Sequence, residues 1–379
     1  MSSIRRVLIA QPYGIGDALF VTPLLRALRT LPSVESVDLL LGSRTEAVFR
    51  NNPHVDRIFS IDKGRWRASR PQMLKEARLL WSKLRGRYDL LIDFSLQREY
   101  GFYGKFFLRI PLRIGLNFKN RGMFLTRSVS LNGRQEGRHA VDLYCSVGKL
   151  IGLEMEDRFL EFYVSDEDRK EAEKILNRPP APLRGEDEGG RLGSFIALAP
   201  GGGESWGKDA HFKRWPATNF AKFLDPVRDR IEFETVLILG SVGEKGLGDE
   251  IKAAEEGSSR PCRVLNLCGE LSLGGTAALL ERSRLLLAND GGLVHLAHAL
   301  HVPLIAFYGP VDPKVYGPYP ASSDAVAMAR EELPCRPCYS GFRYNSACVD
   351  RECLTALCPE EAVERLDRKN FWKNLCAVP

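Results

Sequence analysis

Short apolar runs alternate with amphipathic stretches along this chain, and the alternation stops once and then starts again. Arg6–Ala10, Val37–Leu41, Arg57–Ile61 and Tyr88–Phe94 have the length and side-chain types of buried strands. Asp17–Leu31 and Pro71–Leu84 lie between them with helical periodicity, and His139–Gly152 and Asp166–Leu176 continue it. Strands that alternate with helices predict a parallel sheet covered on both faces. Arg178–Arg191 reads RPPAPLRGEDEGGR, has no period and many breakers, and is expected to be a linker or exposed loop. The rhythm then resumes, with strands expected at Ser194–Ala199, Thr235–Leu239, Arg263–Leu267, Leu285–Ala288 and Leu304–Phe307. Helices are expected at Ala217–Phe223, Glu244–Glu256, Gly274–Arg282 and Gly292–His301. A chain of 379 residues exceeds one ordinary core. The prediction is two doubly wound α/β domains, 1–177 and 194–379, joined by a linker at 178–193 and facing a central cleft. The last helix is expected to pack back on the first domain. The cleft is the expected binding site.

Hydrophobic residues make up 44% and charged residues 27%, which excludes a disordered chain. No apolar run reaches the roughly 18 residues of a spanning helix. Met1–Ala10 enters a strand pattern directly, without a signal-peptide stretch. The expected location is the cytoplasm, where nine cysteines are reduced thiols or metal ligands. Residues 1–160 hold 27 Lys and Arg against 15 Asp and Glu, a net +12, while the rest of the chain has a net −6. That asymmetry is either ordinary variation or a first half that meets an anionic partner or membrane surface.

Three segments carry chemistry. Tyr13-Gly-Ile-Gly-Asp17 follows the first strand. Gly14 and Gly16 allow a tight turn and close approach to a ligand. Asp17 stands either as a helix N-cap or as a group facing the ligand. The third glycine of a dinucleotide fingerprint is missing, and Asp38 lies on a strand rather than at the usual acidic offset. Ala199-Pro-Gly-Gly-Gly203 ends another strand, with Lys208 and Lys213-Arg-Trp-Pro216 after it. Backbone N–H groups at Gly201, Gly202 and Gly203, together with ammonium charge, suit an anionic group. The spacing is not that of a P-loop. Ala288-Asn-Asp-Gly-Gly-Leu-Val-His295 leads a strand into a helix. Its free N–H groups and dipole favour a pyrophosphate. Asp290 either bonds sugar hydroxyls or caps the helix, and His295 falls in the first turn. His298 and His301 are expected to pack or to face solvent.

These segments, in this order, resemble glycosyltransferase family 9, the ADP-heptose lipopolysaccharide heptosyltransferases. GIGDALFVTPLLRAL, YDLLIDF, Arg113-Ile-Gly115, KRWP and NDGGLVHLAHAL carry the resemblance over nearly the whole chain. It implies the GT-B fold of two Rossmann-like domains, an acceptor-binding one first and a nucleotide-sugar-binding one second. It also implies inverting transfer of a sugar, heptose from ADP-heptose, to a lipopolysaccharide core acceptor, with no cofactor needed for catalysis. Asp17 is then the general base, and Lys213 meets the donor phosphates. Gly201, Gly202, Gly203, Lys208, Glu244, Asp290, Gly291, Gly292 and His295 hold the donor, Glu244 at the ribose. Gly14, Gly16, Arg65, Arg67 and Arg113 meet the acceptor. The segment ESWGKDAH departs in length from the family's shorter forms. A sugar-nucleotide epimerase or hydrolase of the same fold, and a non-catalytic sugar-nucleotide-binding protein, are the alternatives.

Cys335, Cys338, Cys348 and Cys353 fall within one short Pro-containing segment. They either form a tetrahedral structural zinc site or remain reduced thiols. Lys63–Arg87 holds nine Lys and Arg against one Glu, with Trp66 and Trp81 interleaved, and Arg98–Arg127 adds basic and aromatic residues. This is either a solvated face or a surface for an anionic glycolipid at the cytoplasmic face of the inner membrane. No nucleic-acid-reading module is present. The expected protein is a monomer, peripheral to that membrane, whose partners are a nucleotide-diphosphate sugar and the glycolipid.

Overall fold

Twelve strands of the computed structural model form two parallel sheets. The first contains β1 (Arg6–Gln11), β2 (Ser36–Gly42), β3 (Arg57–Ile61), β4 (Leu90–Asp93), β5 (Leu112–Phe118) and β6 (Arg127–Leu131), in the order β3-β2-β1-β4-β5-β6. The second contains β7 (Phe195–Ala199), β8 (Thr235–Ile238), β9 (Arg263–Asn266), β10 (Leu286–Asn289), β11 (Leu304–Tyr308) and β12 (Ala325–Ala329), in the order β12-β11-β10-β7-β8-β9. Taken from the first strand of each, the order is the same: the chain winds outward one way, then crosses back and winds the other. The switch points lie between β1 and β4, where Val7 pairs with Leu90, and between β7 and β10, where Ala197 pairs with Leu286. Doubly wound sheets bind ligands outside the carboxyl ends of strands at this point. The residues described are 4–131, 137–178, 192–203, 207–340, 343–345 and 347–376, without the side chains of Lys63, Arg67, Lys208, Asn374 and Cys376.

β4, β7, β8, β10 and β11 are buried along their whole length, because helices cover both faces. That is why they are continuous apolar runs in the sequence. β5, β6 and β12 were not among the expected strands. β6 is mostly exposed and reads RSVSL, without an apolar run; β12 is an edge strand that reads AVAMA, an apolar run whose three alanines carry little strand preference. The helix expected over Asp17–Leu31 divides into Ile15–Leu19 and Thr22–Arg29, with Pro23 in the first turn of the second piece.

The chain divides into compact units at Met1–Tyr163 and Val164–Pro379. This moves the boundary from the expected residue 177. Helix Asp166–Leu176 belongs to the second unit, against helix Leu273–Leu280. Glu171 accepts from the Ser272 N–H at 2.8 Å and from its hydroxyl. A Cβ on Gly275 would sit 2.6 Å from the Glu171 carboxyl, so glycine is what lets the two helices approach. Most of the expected linker, residues 179–191, lies outside the described residues. The last helices, Pro359–Arg368 and Phe371–Cys376, also differ from expectation. Ala362, Leu366, Phe371 and Trp372 join the second unit's own core, beside Val227 and Phe233.

Candidate active site

In the second unit, the loop after β7 is shaped by its glycines. Gly202 and Gly203 have φ of +74° and +81°, a left-handed backbone that favours glycine. A Cβ on Gly201 would overlap Glu244 Oε1, and one on Gly291 would sit 2.9 Å from the Gly202 carbonyl carbon. The two glycine turns, after β7 and before helix Gly292–Ala299, are therefore stacked backbone to backbone. Glu244 is buried at their side. One carboxylate oxygen accepts from the Gly203 N–H at 3.2 Å, and the other accepts from the Ser241 N–H at 2.8 Å. It is thus also the capping residue that a helix start would choose.

Lys213 reaches this loop because Trp215, two residues on, is fully buried. Trp215 stacks on Phe307 at 4.0 Å between centroids and donates its indole N–H to the Leu357 carbonyl at 2.7 Å. Its backbone N–H donates to Asn289 Oδ1 at 3.0 Å, and Asn289 Nδ2 donates to the Pro200 carbonyl at 2.6 Å. Asn289 therefore ties the ends of β7 and β10 to the lysine loop. Lys213 Nζ lies 2.8 Å from Asp290 Oδ2, with side chains only 8% and 6% exposed. Asp290 is not the helix cap; Gly291 is. His295 is buried in the first turn of that helix. The result is one constellation of Gly201, Gly202, Gly203, Lys213, Glu244, Asp290, Gly291, Gly292 and His295 at the β7/β10 switch point. Glu204–Trp206 and the Lys208 side chain lie outside the described residues. His298 donates its Nε2–H to the Pro320 carbonyl at 2.9 Å, which places it in packing.

In the first unit, Gly14 is the N-cap of helix Ile15–Leu19 and Asp17 is its third residue, so the capping alternative for Asp17 does not hold. Carbonyls of Gly14 and Gly16 accept from Ala18 and Phe20 at 2.9 and 3.0 Å. Tyr144 donates its hydroxyl to Asp17 Oδ1 at 3.1 Å. Buried Gln11 donates to the Asp17 carbonyl and to the Tyr144 hydroxyl oxygen, each at 3.2 Å. Tyr144 itself stacks on Phe94 at 4.5 Å. Tyr13 donates to the Ser95 carbonyl, and burial, followed by the charge of Asp17, holds its phenol protonated well above its usual range. Asp93, at the end of β4, is pushed up to about 6 by burial, although Ser95 N–H donates to it at 2.8 Å. Gln11, Tyr144 and Asp93 were not among the expected site residues. Tyr144 lies in a helix whose amphipathic pattern already accounts for it.

The remaining expected residues lie elsewhere. Arg113 donates to the carbonyls of Phe124, Ile110 and Pro111 at 2.7, 2.5 and 3.0 Å. Its Nε and Nη1 are thus engaged by the chain on either side of β5. Arg65 is exposed near Asp62 and Glu76, at 3.8 and 3.9 Å; the Arg67 side chain lies outside the described residues. For the expected zinc, burial pushes the Cys353 thiol up to about 11, and Cys338, Cys348 and Cys335 are near enough to add to that. Yet among the described residues no three Cys, His, Asp or Glu side chains converge to hold a metal. Among the described residues, no helix is long and apolar enough to cross a membrane.

Comparison with known proteins places this geometry. Residues 77–342 match the model of glycosyltransferase family 9 (heptosyltransferase). Lipooligosaccharide heptosyltransferase 2 of Haemophilus influenzae is 24% identical over 369 residues, covering 95% of this chain and 98% of that protein. A family 9 glycosyl transferase from Veillonella parvula superposes with a TM-score of 0.74 at 22% identity, over 96% of this chain and 97% of that one. The ADP-heptose lipopolysaccharide heptosyltransferase II of E. coli gives 0.68 at 22% identity, over 97% and 99%. The two doubly wound units are those of the GT-B fold, and this chain belongs to glycosyltransferase family 9, the heptosyltransferase family.

Proposed function

We propose that this enzyme transfers heptose from ADP-heptose, with inversion, to the growing core of a lipopolysaccharide. The observation that supports this most directly is the matching placement of chemistry in the two sheets. Asp17 follows β1, and the Lys213–Asp290 pair follows β7 and β10, each at a switch point. Asp17 takes the proton of an acceptor hydroxyl as its oxygen bonds to the anomeric carbon. The bond from that carbon to the β-phosphate oxygen breaks on the opposite face, and the electron pair leaves with ADP. Lys213, the N–H groups of the Gly201–Gly203 loop and the start of helix Gly292–Ala299 stabilise the charge that develops there. Asp290 holds the ammonium in place, and Glu244 holds the loop or the ribose. Gly14 and Gly16 let the acceptor approach Asp17, and Arg65 adds cationic charge on the acceptor side. The protein acts as a monomer in the cytoplasm, and its basic first half draws it to the anionic inner face of the membrane.

The test is product analysis after incubation with labelled ADP-heptose and a heptose-deficient lipopolysaccharide. Labelled glycolipid of inverted anomeric configuration is the expected product. A rearranged or free sugar without glycolipid would instead indicate the epimerase or hydrolase class, and an unreacted donor a binding protein.

A further inference from the structure

Helix Arg98–Phe106 is oriented opposite to a core-facing helix. Its inward face is Tyr100, which packs on the core, and two buried glycines, Gly101 and Gly104. A Cβ on Gly104 would sit 2.7 Å from Leu91 Cδ2, and one on Gly101 would sit 3.3 Å from Phe124 Cβ. The helix therefore lies close against β4 and the loop after β5. Its other large apolar residues point the other way. Phe102, Tyr103, Phe106 and the following Phe107 are 37 to 53% exposed, and Met123 beside them is 64% exposed. The rings meet one another rather than the core: Phe102–Phe106 at 5.0 Å, Phe102–Phe124 at 5.3 Å, Tyr103–Phe107 at 5.2 Å. Trp81 joins the edge, donating to the Phe107 carbonyl at 3.3 Å.

Contiguous exposed apolar groups of this kind mark a binding surface. The charge of the segment that carries these rings points to the partner. From Arg98 to Leu131 the chain has seven Lys and Arg and one acidic residue, Glu99. Lys105, Arg109, Lys119, Arg121 and Arg127 are all exposed. Lys105 Nζ lies 5.0 Å from the Phe106 centroid. Aromatic rings settle at head-group depth, and cations around them meet lipid phosphates. A bilayer supplies both partners and requires no complementary pocket.

We propose that the aromatic face of helix Arg98–Phe106 inserts into the interface of an anionic bilayer and anchors the enzyme there. The proposal deepens the membrane part of the reading above, replacing purely electrostatic attraction with a hydrophobic anchor, and does not depend on which sugar is transferred. Its test uses the full chain with vesicles of equal parts phosphatidylcholine and phosphatidylglycerol. Relative to the parent, Phe106→Trp should add a blue-shifted emission on binding and quenching by brominated acyl chains. Tyr103→Ser/Phe106→Ser/Phe107→Ser should lower vesicle affinity about tenfold or more. A part of the binding should survive about 0.5 M salt, where charge is screened within a few ångströms. The triple variant should keep the parent's melting temperature and its turnover with a lipid-free acceptor fragment. Vesicle binding by the Phe106→Trp variant without that emission shift, or a triple variant that binds like the parent, overturns the anchor. Binding lost entirely in salt also overturns it and leaves the electrostatic reading standing. A parent that self-associates through this face and ignores vesicles overturns it in favour of a protein partner.

Discussion

Tyr144 donates its phenolic hydrogen to Asp17 Oδ1 at 3.1 Å, across 127 residues of sequence. The bond orients one carboxylate oxygen while Gln11 fixes both the tyrosine hydroxyl and the Asp17 backbone. If Asp17 is the base, Asp17→Asn should lower kcat by roughly a hundred- to ten-thousandfold and leave ADP affinity unchanged. Near-normal turnover by folded protein would remove Asp17 from the chemistry.

Tyr144→Phe should lower kcat about tenfold, the scale of one hydrogen bond to a charged group, with donor KM unchanged. In the Asp17→Asn background the same change should have almost no further effect, because the two act as a unit. Additive losses would place the role of Tyr144 elsewhere.

Lys213→Ala should weaken ADP binding and slow transfer, and it should also lower thermal stability. Removing one partner of a buried ion pair typically costs about 3–5 kcal/mol, and Asp290 would be left uncompensated. Lys213→Met with Asp290→Asn should recover stability without recovering affinity. Calorimetry with ADP, together with melting curves, separates the two effects; full affinity in the double variant would argue against a phosphate role.

Gly201→Ala should push the Glu244 carboxylate off the Gly203 N–H, because the new methyl occupies its place. Overpacking on this scale costs about 1–3 kcal/mol. ADP affinity should fall about tenfold, the scale of one lost hydrogen bond to a charged group. An unchanged ADP dissociation constant would mean that the Glu244–Gly203 link lies outside the donor site.

Asp93 gives a pH dependence. Its folded pKa is raised from 3.8 to about 6 by burial, next to Ser95 and with Glu99 adding to the shift. The folded state therefore holds a proton that the unfolded state has released. Its contribution to stability is full below about pH 4 and is lost as pH rises through about 6. Asp93→Asn removes the ionisation, so the variant should gain on the parent between about pH 4 and 6. Parallel melting-temperature profiles for the two proteins would contradict this.

Much of this site was legible in the chain itself. The runs that became β1, β4, β7 and β10 are continuous because both faces of these strands are buried, and a local window detects that. The glycine turns behind Asp17, Gly201–Gly203 and Gly291 were equally visible, since glycine marks where backbone must bend or approach closely. Strands β5 and β6 were not visible, because partial exposure breaks their apolar pattern, and β12 was not, because its alanines carry little strand preference.

The tertiary structure decided which side chains meet. Asp17 and Asp290 each admitted a capping role from sequence; the fold places glycines at both caps and gives the two carboxylates Tyr144 and Lys213 as partners. Arg113 sat in a motif associated with the acceptor, yet three main-chain carbonyls engage its guanidinium. Helix Asp166–Leu176 reads the same in either unit, and only the close approach of Gly274 and Gly275 places it in the second. Periodicity and turn chemistry are properties of a few consecutive residues. Hydrogen-bond partners and the docking of helices depend on groups far apart in the chain, which become neighbours only once the sheets have formed.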